Sequence, residues 1–191
     1  DLVDALRQLG CPVADLGRHG YPPLRVGDGV VHALRTEAPI RVRGDVSSQF
    51  LTALLLALPL LTTGQDVAIE VVGELISKPY IDITLRLLAR FGIGVQRDDY
   101  RRFVLPRGSA YRTPGAIHVE GDASSASYFV ALGALAATEA PVRIEGVGLD
   151  SIQGDIRFVD AARAMGAQVD GGPGWLEVRR GAWPLRPLTL D

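Results

Sequence analysis

The most chemically suggestive run in the chain is Gly44-Asp45-Val46-Ser47-Ser48-Gln49, which leads straight into an apolar stretch from Phe50 to Leu61. The amino end of a helix presents unpaired N–H groups and about half a unit of positive charge, so it attracts an anion. Two adjacent hydroxyls add donors for phosphate oxygens, and the Gln49 amide can donate and accept at a substrate hydroxyl. A second role is open to the same pair, because serine hydroxyls also cap a helix by accepting from its orphan amides. Another run, Leu75-Ile76-Ser77-Lys78-Pro79-Tyr80, follows a strand-like segment and precedes an amphipathic one. Loops so placed carry ligands in α/β units. Ser77 and Lys78 have the chemistry to reach a phosphate there, and the Tyr80 ring can pack on a cyclic substrate. The alternative is a turn held by Pro79, with the tyrosine filling a surface gap.

The elements that must position these residues repeat along the chain. Gly44-Asp45-Val46-Ser47-Ser48, an apolar run and Val67-Ala68-Ile69-Glu70-Val71-Val72-Gly73 align with Gly121-Asp122-Ala123-Ser124-Ser125, Tyr128 to Ala137 and Val142-Arg143-Ile144-Glu145-Gly146-Val147-Gly148. Each copy then passes a serine (Ser77, Ser151) and ends in an amphipathic segment closed by glycine, Gly92 or Gly166. The opening Val3 to Gly10 echoes that last part, so two nearly complete units follow the tail of another at a period of roughly 75–80 residues. Each unit reads as mixed α/β, βαβαββ-like. The serine pair opens a helix that is apolar all round and therefore core-buried, and Pro59 ends it. Val67 to Val72 is a strand, and a second helix runs near Asp82 to Phe91. Gly10, Gly92 and Gly166 sit where a helix-ending residue turns left-handed. Short strands are expected directly after them, at Cys11–Val13, Ile93–Val95 and Ala167–Val169. The loop-like Ser109 to Gly115 and the extended His118-Val119-Glu120 mark a junction near residue 120, dividing the chain into 1–119 and 120–191.

Composition narrows the chemistry. The chain has 191 residues, 47% of them hydrophobic and 22% charged, the profile of an ordinary globular protein. A formal charge of -2 gives no electrostatic footprint for nucleic acid. The apolar run is well short of the roughly 20 residues that span a bilayer, and Asp1, Asp4 and Arg7 do not form a signal-peptide pattern. Cys11, the single cysteine, rules out an internal disulfide and a cysteine-built zinc site and fits a reducing compartment. It aligns with Ile93 and Ala167, which makes it core filler rather than a nucleophile. The three scattered histidines, His19, His32 and His118, do not make a metal site. Asp155 and Arg157 read as a functional pair, a structural ion pair or, for Asp155, a helix-start carboxylate, and Trp175 and Trp183 as packing.

Four motifs together resemble the 5-enolpyruvylshikimate-3-phosphate synthase family: Gly44 to Leu54, Ser77 to Thr84, Gly121 to Phe129, and Gln153-Gly154-Asp155-Ile156-Arg157-Phe158. Leu2 to Leu6 and Tyr21-Pro22-Pro23-Leu24 agree as well. The resemblance implies an α/β (α+β) enolpyruvyl transferase fold, an inside-out α/β barrel in which each of two domains holds three βαβαββ units about a pseudo-threefold axis. Residues 1–119 would be part of the first domain, the end of one repeat plus a full one, and 120–191 the truncated start of the second. The implied reaction transfers the enolpyruvyl group of phosphoenolpyruvate to the 5-hydroxyl of shikimate 3-phosphate and releases phosphate, on the way to chorismate and aromatic amino acids. By motif, Ser47 and Ser48 would bind shikimate 3-phosphate, and Gln49 would lie between it and phosphoenolpyruvate. Ser77 would contact the 3-phosphate, and Tyr80 would pack beside the ring. No metal or organic cofactor is implied, and the whole enzyme is expected to be a cytoplasmic monomer.

The family's amino-terminal lysine motif, its asparagine-and-glycine loop with a phosphoenolpyruvate-binding arginine, and its later Asp-x-Asn-x-Ile-Pro-Asp segment have no counterpart in these residues. The resemblance therefore implies a central portion of the enzyme with no catalytic acid or base of its own, inactive alone. The related transferase that acts on UDP-N-acetylglucosamine shares the fold. It lacks the Ser-Ser-Gln and Ser-Lys-Pro-Tyr combination in this form, and it carries a mobile-loop cysteine that Cys11 does not match. A non-catalytic stack of α/β units is the alternative from another class.

Overall fold

The computed structural model describes residues 1–27, 34–62 and 64–189; His32, Leu190 and Asp191 lie outside them. The chain divides into two compact units, Asp1–Ala116 and Ile117–Asp191.

The first unit opens with a short helix, α1 (Leu2–Gln8), and an antiparallel pair, β1 (Val13–Asp15) and β2 (Leu24–Val26). A complete βαβαββ set follows: β3 (Ile40–Arg43), α2 (Ser48–Ala57), β4 (Val67–Val72), α3 (Lys78–Arg90), β5 (Gln96–Asp98) and β6 (Arg102–Leu105). The sheet order is β3-β4-β6-β5. β3 and β4 are parallel, with Ile40 opposite Ile69, because α2 carries the chain back across the sheet between them. β6 then runs antiparallel to β4 and pairs with β5 through a tight turn. Alternation in β3 puts Ile40 and Val42 into the core and Arg41 and Arg43 outside. Against that face pack Leu51, Leu54, Leu55 and Leu58 after the serine pair, and Ile81 and Leu88 of α3. The Gln8 side chain bonds to the free edge of β3, accepting from Arg41 N (2.8 Å) and donating to its carbonyl (2.9 Å).

In the second unit, α4 (Ala123–Ala136), β7 (Val142–Glu145), α5 (Phe158–Met165), β8 (Gln168–Gly172) and β9 (Trp175–Arg179) form a three-stranded antiparallel sheet, β7-β9-β8, covered by two helices. Its core joins Ala126, Val130 and Ala134 of α4 to Val159, Ala162, Leu176 and Val178. His118-Val119-Glu120 forms no strand among the described residues.

Several expectations need correction. α2 is not buried all round: only one side faces the sheet, and Leu56 and, past its end, Leu60 are 39% and 68% exposed. In α4 the same holds for Tyr128 and Phe129, at 77% and 53%. Pro59 does not follow the helix at once but sits in the first turn of a 3₁₀ segment, Leu58–Leu61, where its missing N–H costs nothing. α3 starts at Lys78 rather than near Asp82, because Pro79 is well suited to a first helical turn. Gly10, Gly92 and Gly166 do take positive φ, 83°, 80° and 111°. The strands after them begin one to three residues later than the sequence pattern indicates.

Candidate functional site

β3 and β4 end side by side, and the parallel pairing continues past both strands. Gly44 N donates to the Val72 carbonyl (3.0 Å), and Ile76 N donates to the Gly44 carbonyl (3.1 Å). These two bonds tie the loop leading into α2 to the loop leading into α3. Gly44 has no positive φ; what it supplies is the absence of a side chain. A Cβ there would stand 2.5 Å from Val71 Cγ1 and 3.0 Å from Leu75 Cα. The close approach brings two sequence-distant motifs into one site.

Within the first loop, Asp45 is held by the Arg43 guanidinium through two bonds, Nε at 3.0 Å and Nη2 at 2.9 Å. That hydrogen-bonded partner keeps the carboxyl below its usual range and raises the arginine in turn. Drawn aside in this way, Asp45 leaves the helix start to Ser47. Its extended backbone (φ −165°, ψ 134°) lets Oγ accept from Gln49 N at 3.2 Å. Ser48, the first helical residue, is 6% exposed.

The second loop ends on an unusual conformation. Ser77 is left-handed, φ 55° and ψ 41°, one of two non-glycine residues of positive φ among those described. Such a residue costs roughly 1–2 kcal/mol relative to the right-handed form. Its carbonyl accepts from Tyr80 N at 3.1 Å, while its hydroxyl makes no cap bond to α3.

A cavity of about 540 Å³ opens between the two helix starts. Ser47, Ser48, Gln49, Ser77 and Tyr80, the five residues expected from sequence, all line it, along with apolar Val46, Ile76 and Ile83. Lys78 does not line it. In a helix Lys78 and Tyr80 point about 200° apart, and the Lys78 ammonium lies 3.6 Å from Glu74 and 5.6 Å from the Tyr100 ring centre. Sequence reasoning missed Thr52 and Thr84, which also line the cavity. The available signal was spacing: each stands four residues, one turn, beyond a named site residue (Ser48, Tyr80) on the same helical face.

The second copy of the motif is built differently. Asp122 itself caps α4, accepting from Ser124 N (3.0 Å) and from the Ser125 hydroxyl (2.7 Å). Its carboxyl is held below the usual range by the Ser125 hydroxyl first and then the Ser124 amide. The Ser124 hydroxyl donates to Asp155 at 2.5 Å, so Asp155 serves that serine and forms no pair with Arg157. α4 consequently begins two positions earlier in the motif than α2, with carboxylates already at its amino end. Elsewhere, Cys11 packs against the first unit's core. Trp175 lies under the Arg143 guanidinium, 4.5 Å from its ring centre. Among the described residues no group of three or more His, Cys, Asp or Glu side chains is placed to hold a metal, and no helix is long and apolar enough to cross a membrane.

Residues 1–191 match the family described as EPSP synthase (3-phosphoshikimate 1-carboxyvinyltransferase). The 3-phosphoshikimate 1-carboxyvinyltransferase of Cupriavidus taiwanensis is 62% identical over 195 residues, covering all of this chain and 44% of its own. That of Bordetella parapertussis is 60% identical over 181 residues, 94% of this chain and 40% of its own. The chain thus spans about two fifths of the length of the curated relatives it matches. Among solved structures, EPSP synthase from Acinetobacter baumannii superposes with a TM-score of 0.71 at 21% identity, covering 100% of this chain and 41% of its own. The enolpyruvyl transferase NikO from Streptomyces tendae follows at 0.60 and 17% identity, covering 97% and 43%. Both likenesses concern the fold.

Proposed function

Since the chain belongs to the EPSP synthase family, we propose that it supplies the shikimate 3-phosphate side of an active site. The complete enzyme would transfer the enolpyruvyl group of phosphoenolpyruvate to the 5-hydroxyl of shikimate 3-phosphate and release phosphate, as a cytoplasmic monomer. The observation that carries this reading is the cavity at the start of α2, where two motifs 30 residues apart in sequence contribute Ser47, Ser48, Gln49, Ser77 and Tyr80. The helix terminus and the hydroxyls of Ser47, Ser48 and Ser77 suit the 3-phosphate. The exposed Tyr80 ring, with Ile76 and Ile83, suits one face of a six-membered ring. Gln49 would stand between that ring and phosphoenolpyruvate. In this reading residues 1–119 belong to the first domain and 120–191 begin the second.

Among the described residues no side chain lining the cavity is a strong acid or base, so proton transfer at the reacting hydroxyl and methylene has no agent among them. The 191-residue chain is therefore expected to bind shikimate 3-phosphate weakly and to turn over nothing. Titration of ¹⁵N-labelled protein with millimolar shikimate 3-phosphate tests the assignment. Amide shifts should cluster at Ser47–Phe50 and Ser77–Tyr80 and spare Ser124 and Ser125. Shifts confined to the second motif, or measurable enolpyruvyl transfer by this chain alone, would refute it.

A further inference from the structure

We propose that Thr52 reads a ring hydroxyl of the bound phosphate ester, and that Thr84 fixes the direction of that hydrogen bond. The proposal rests on the reading above, that the cavity takes shikimate 3-phosphate.

The argument follows one proton at a time. Thr84 Oγ1 lies 2.9 Å from the Tyr80 carbonyl oxygen. A carbonyl only accepts, so the single Thr84 hydroxyl proton is used there. Thr52 Oγ1 lies 3.3 Å from Thr84 Oγ1, and either could donate when that pair is taken alone. With Thr84 donating to Tyr80, Thr52 is the donor whenever the 3.3 Å contact is made. Each threonine hydroxyl has one proton and two lone pairs. Thr52 is then left with acceptor capacity only, and it lines the cavity. Thr84 is 6% exposed and Thr52 is partly buried.

Position adds chemical meaning to this polarity. Thr52 is one turn past Ser48, so its backbone stands about 6 Å further along α2 than the Ser48 amide and about 3–5 Å beyond those of Gln49 and Phe50. An anion at the helix start therefore places a group two or three bonds away near Thr52. An oxygen that can only accept favours an O–H there and repels a second phosphate or a carboxylate. The cavity thus distinguishes a hydroxylated ring phosphate from a bisphosphate of similar size. Thr84 acts through Thr52 and is a positioning residue; its bond to Tyr80 also steadies the turn that carries the ring-packing side chain.

The test compares shikimate 3-phosphate with inorganic phosphate, followed through the Ser47 and Ser77 amides in the unmodified chain, Thr52→Val, Thr52→Ser, Thr84→Val and Thr84→Ser. Thr52→Val keeps the shape and removes the acceptor. It should raise the dissociation constant for shikimate 3-phosphate about 3- to 10-fold, the range of one hydrogen bond, and leave inorganic phosphate within about twofold. Thr52→Ser should bind like the unmodified chain. Thr84→Val should weaken shikimate 3-phosphate alone, with Thr84→Ser restoring it. Unchanged shikimate 3-phosphate binding in Thr52→Val, equal loss of both compounds, or failure of Thr52→Ser to restore binding overturns the proposal. An unmodified chain whose Ser47 and Ser77 amides respond to neither compound overturns the assignment of the cavity and this proposal together.

Discussion

Replacing Gly44 with alanine strikes the point where the two loops of the site touch. The added Cβ would lie 2.5 Å from Val71 Cγ1, 3.0 Å from Leu75 Cα and 3.2 Å from the Glu74 carbonyl oxygen. Carbon atoms prefer roughly 3.5–4.0 Å. The Val71 contact can relax by side-chain rotation, but the Leu75 and Glu74 contacts are backbone and yield only if the second loop moves. Overpacking of this kind costs about 1–3 kcal/mol. Against it, alanine restricts the unfolded chain and returns about 0.4–1 kcal/mol. The expected net loss is about 1–2 kcal/mol in the first unit, with weaker shikimate 3-phosphate binding because Ser77 moves away from Ser47. The repeat supplies its own control. In the second copy Val71 aligns with Gly146, and a Cβ on Gly121 would find its nearest atom, the Gly146 carbonyl oxygen, at 3.4 Å. Gly121→Ala should therefore stay within about 0.5 kcal/mol of the parent. Native-state hydrogen exchange at β4 amides reads the first unit. Tryptophan fluorescence in urea reads the second, which holds both Trp175 and Trp183. Adding Val71→Ala to Gly44→Ala should recover part of the loss, a coupling of at least about 0.5 kcal/mol. Equal stabilities for Gly44→Ala and Gly121→Ala, or strict additivity with Val71→Ala, would show that the close approach does not hold the loops.

Three further outcomes follow from the same geometry. Ser47→Ala removes the cap on Gln49 N and should cost about 1 kcal/mol, Ser47→Gly only a few tenths, both measurable as hydrogen-exchange opening energies of α2. Ser77→Gly relieves a left-handed serine and should stabilise the first unit by about 1 kcal/mol while weakening shikimate 3-phosphate binding; a variant that is less stable contradicts the strain argument. Asp15 is held down to about 2 from 3.8, chiefly by the Gly20 amide and then by the Arg7 and His19 side chains. Because the folded value is the lower one, its contribution is complete above pH 3.8 and fades as the pH falls toward 2. Carboxyl NMR should show that midpoint, and Asp15→Asn should flatten this part of the acid dependence.

Local patterns carried most of the architecture. The duplicated Gly-Asp-x-Ser-Ser start, the strands of alternating burial and the helix-ending glycines are visible in the sequence because each depends on neighbours a few residues away. A serine-rich helix start and a Ser-Lys-Pro-Tyr loop after a strand are local patterns too, which is why Ser47, Ser48, Gln49, Ser77 and Tyr80 could be named as candidates before their distances were known. What the two nearly identical motifs become was decided partly by near neighbours, Arg43 for Asp45, and partly by tertiary contact, Asp155 for Ser124. Arg43 draws Asp45 away in one copy, while Asp122 turns onto its own helix in the other, so one helix start stays open and the other is filled by carboxylates. Only the packed chain could bring Ser77 beside Ser47 at one cavity or set Thr52 against Thr84, 32 residues on, since these depend on which face each helix turns to its neighbour. A one-dimensional pattern records which groups are present; the direction of a side chain and the partner that claims its proton are set by contacts between segments tens of residues apart.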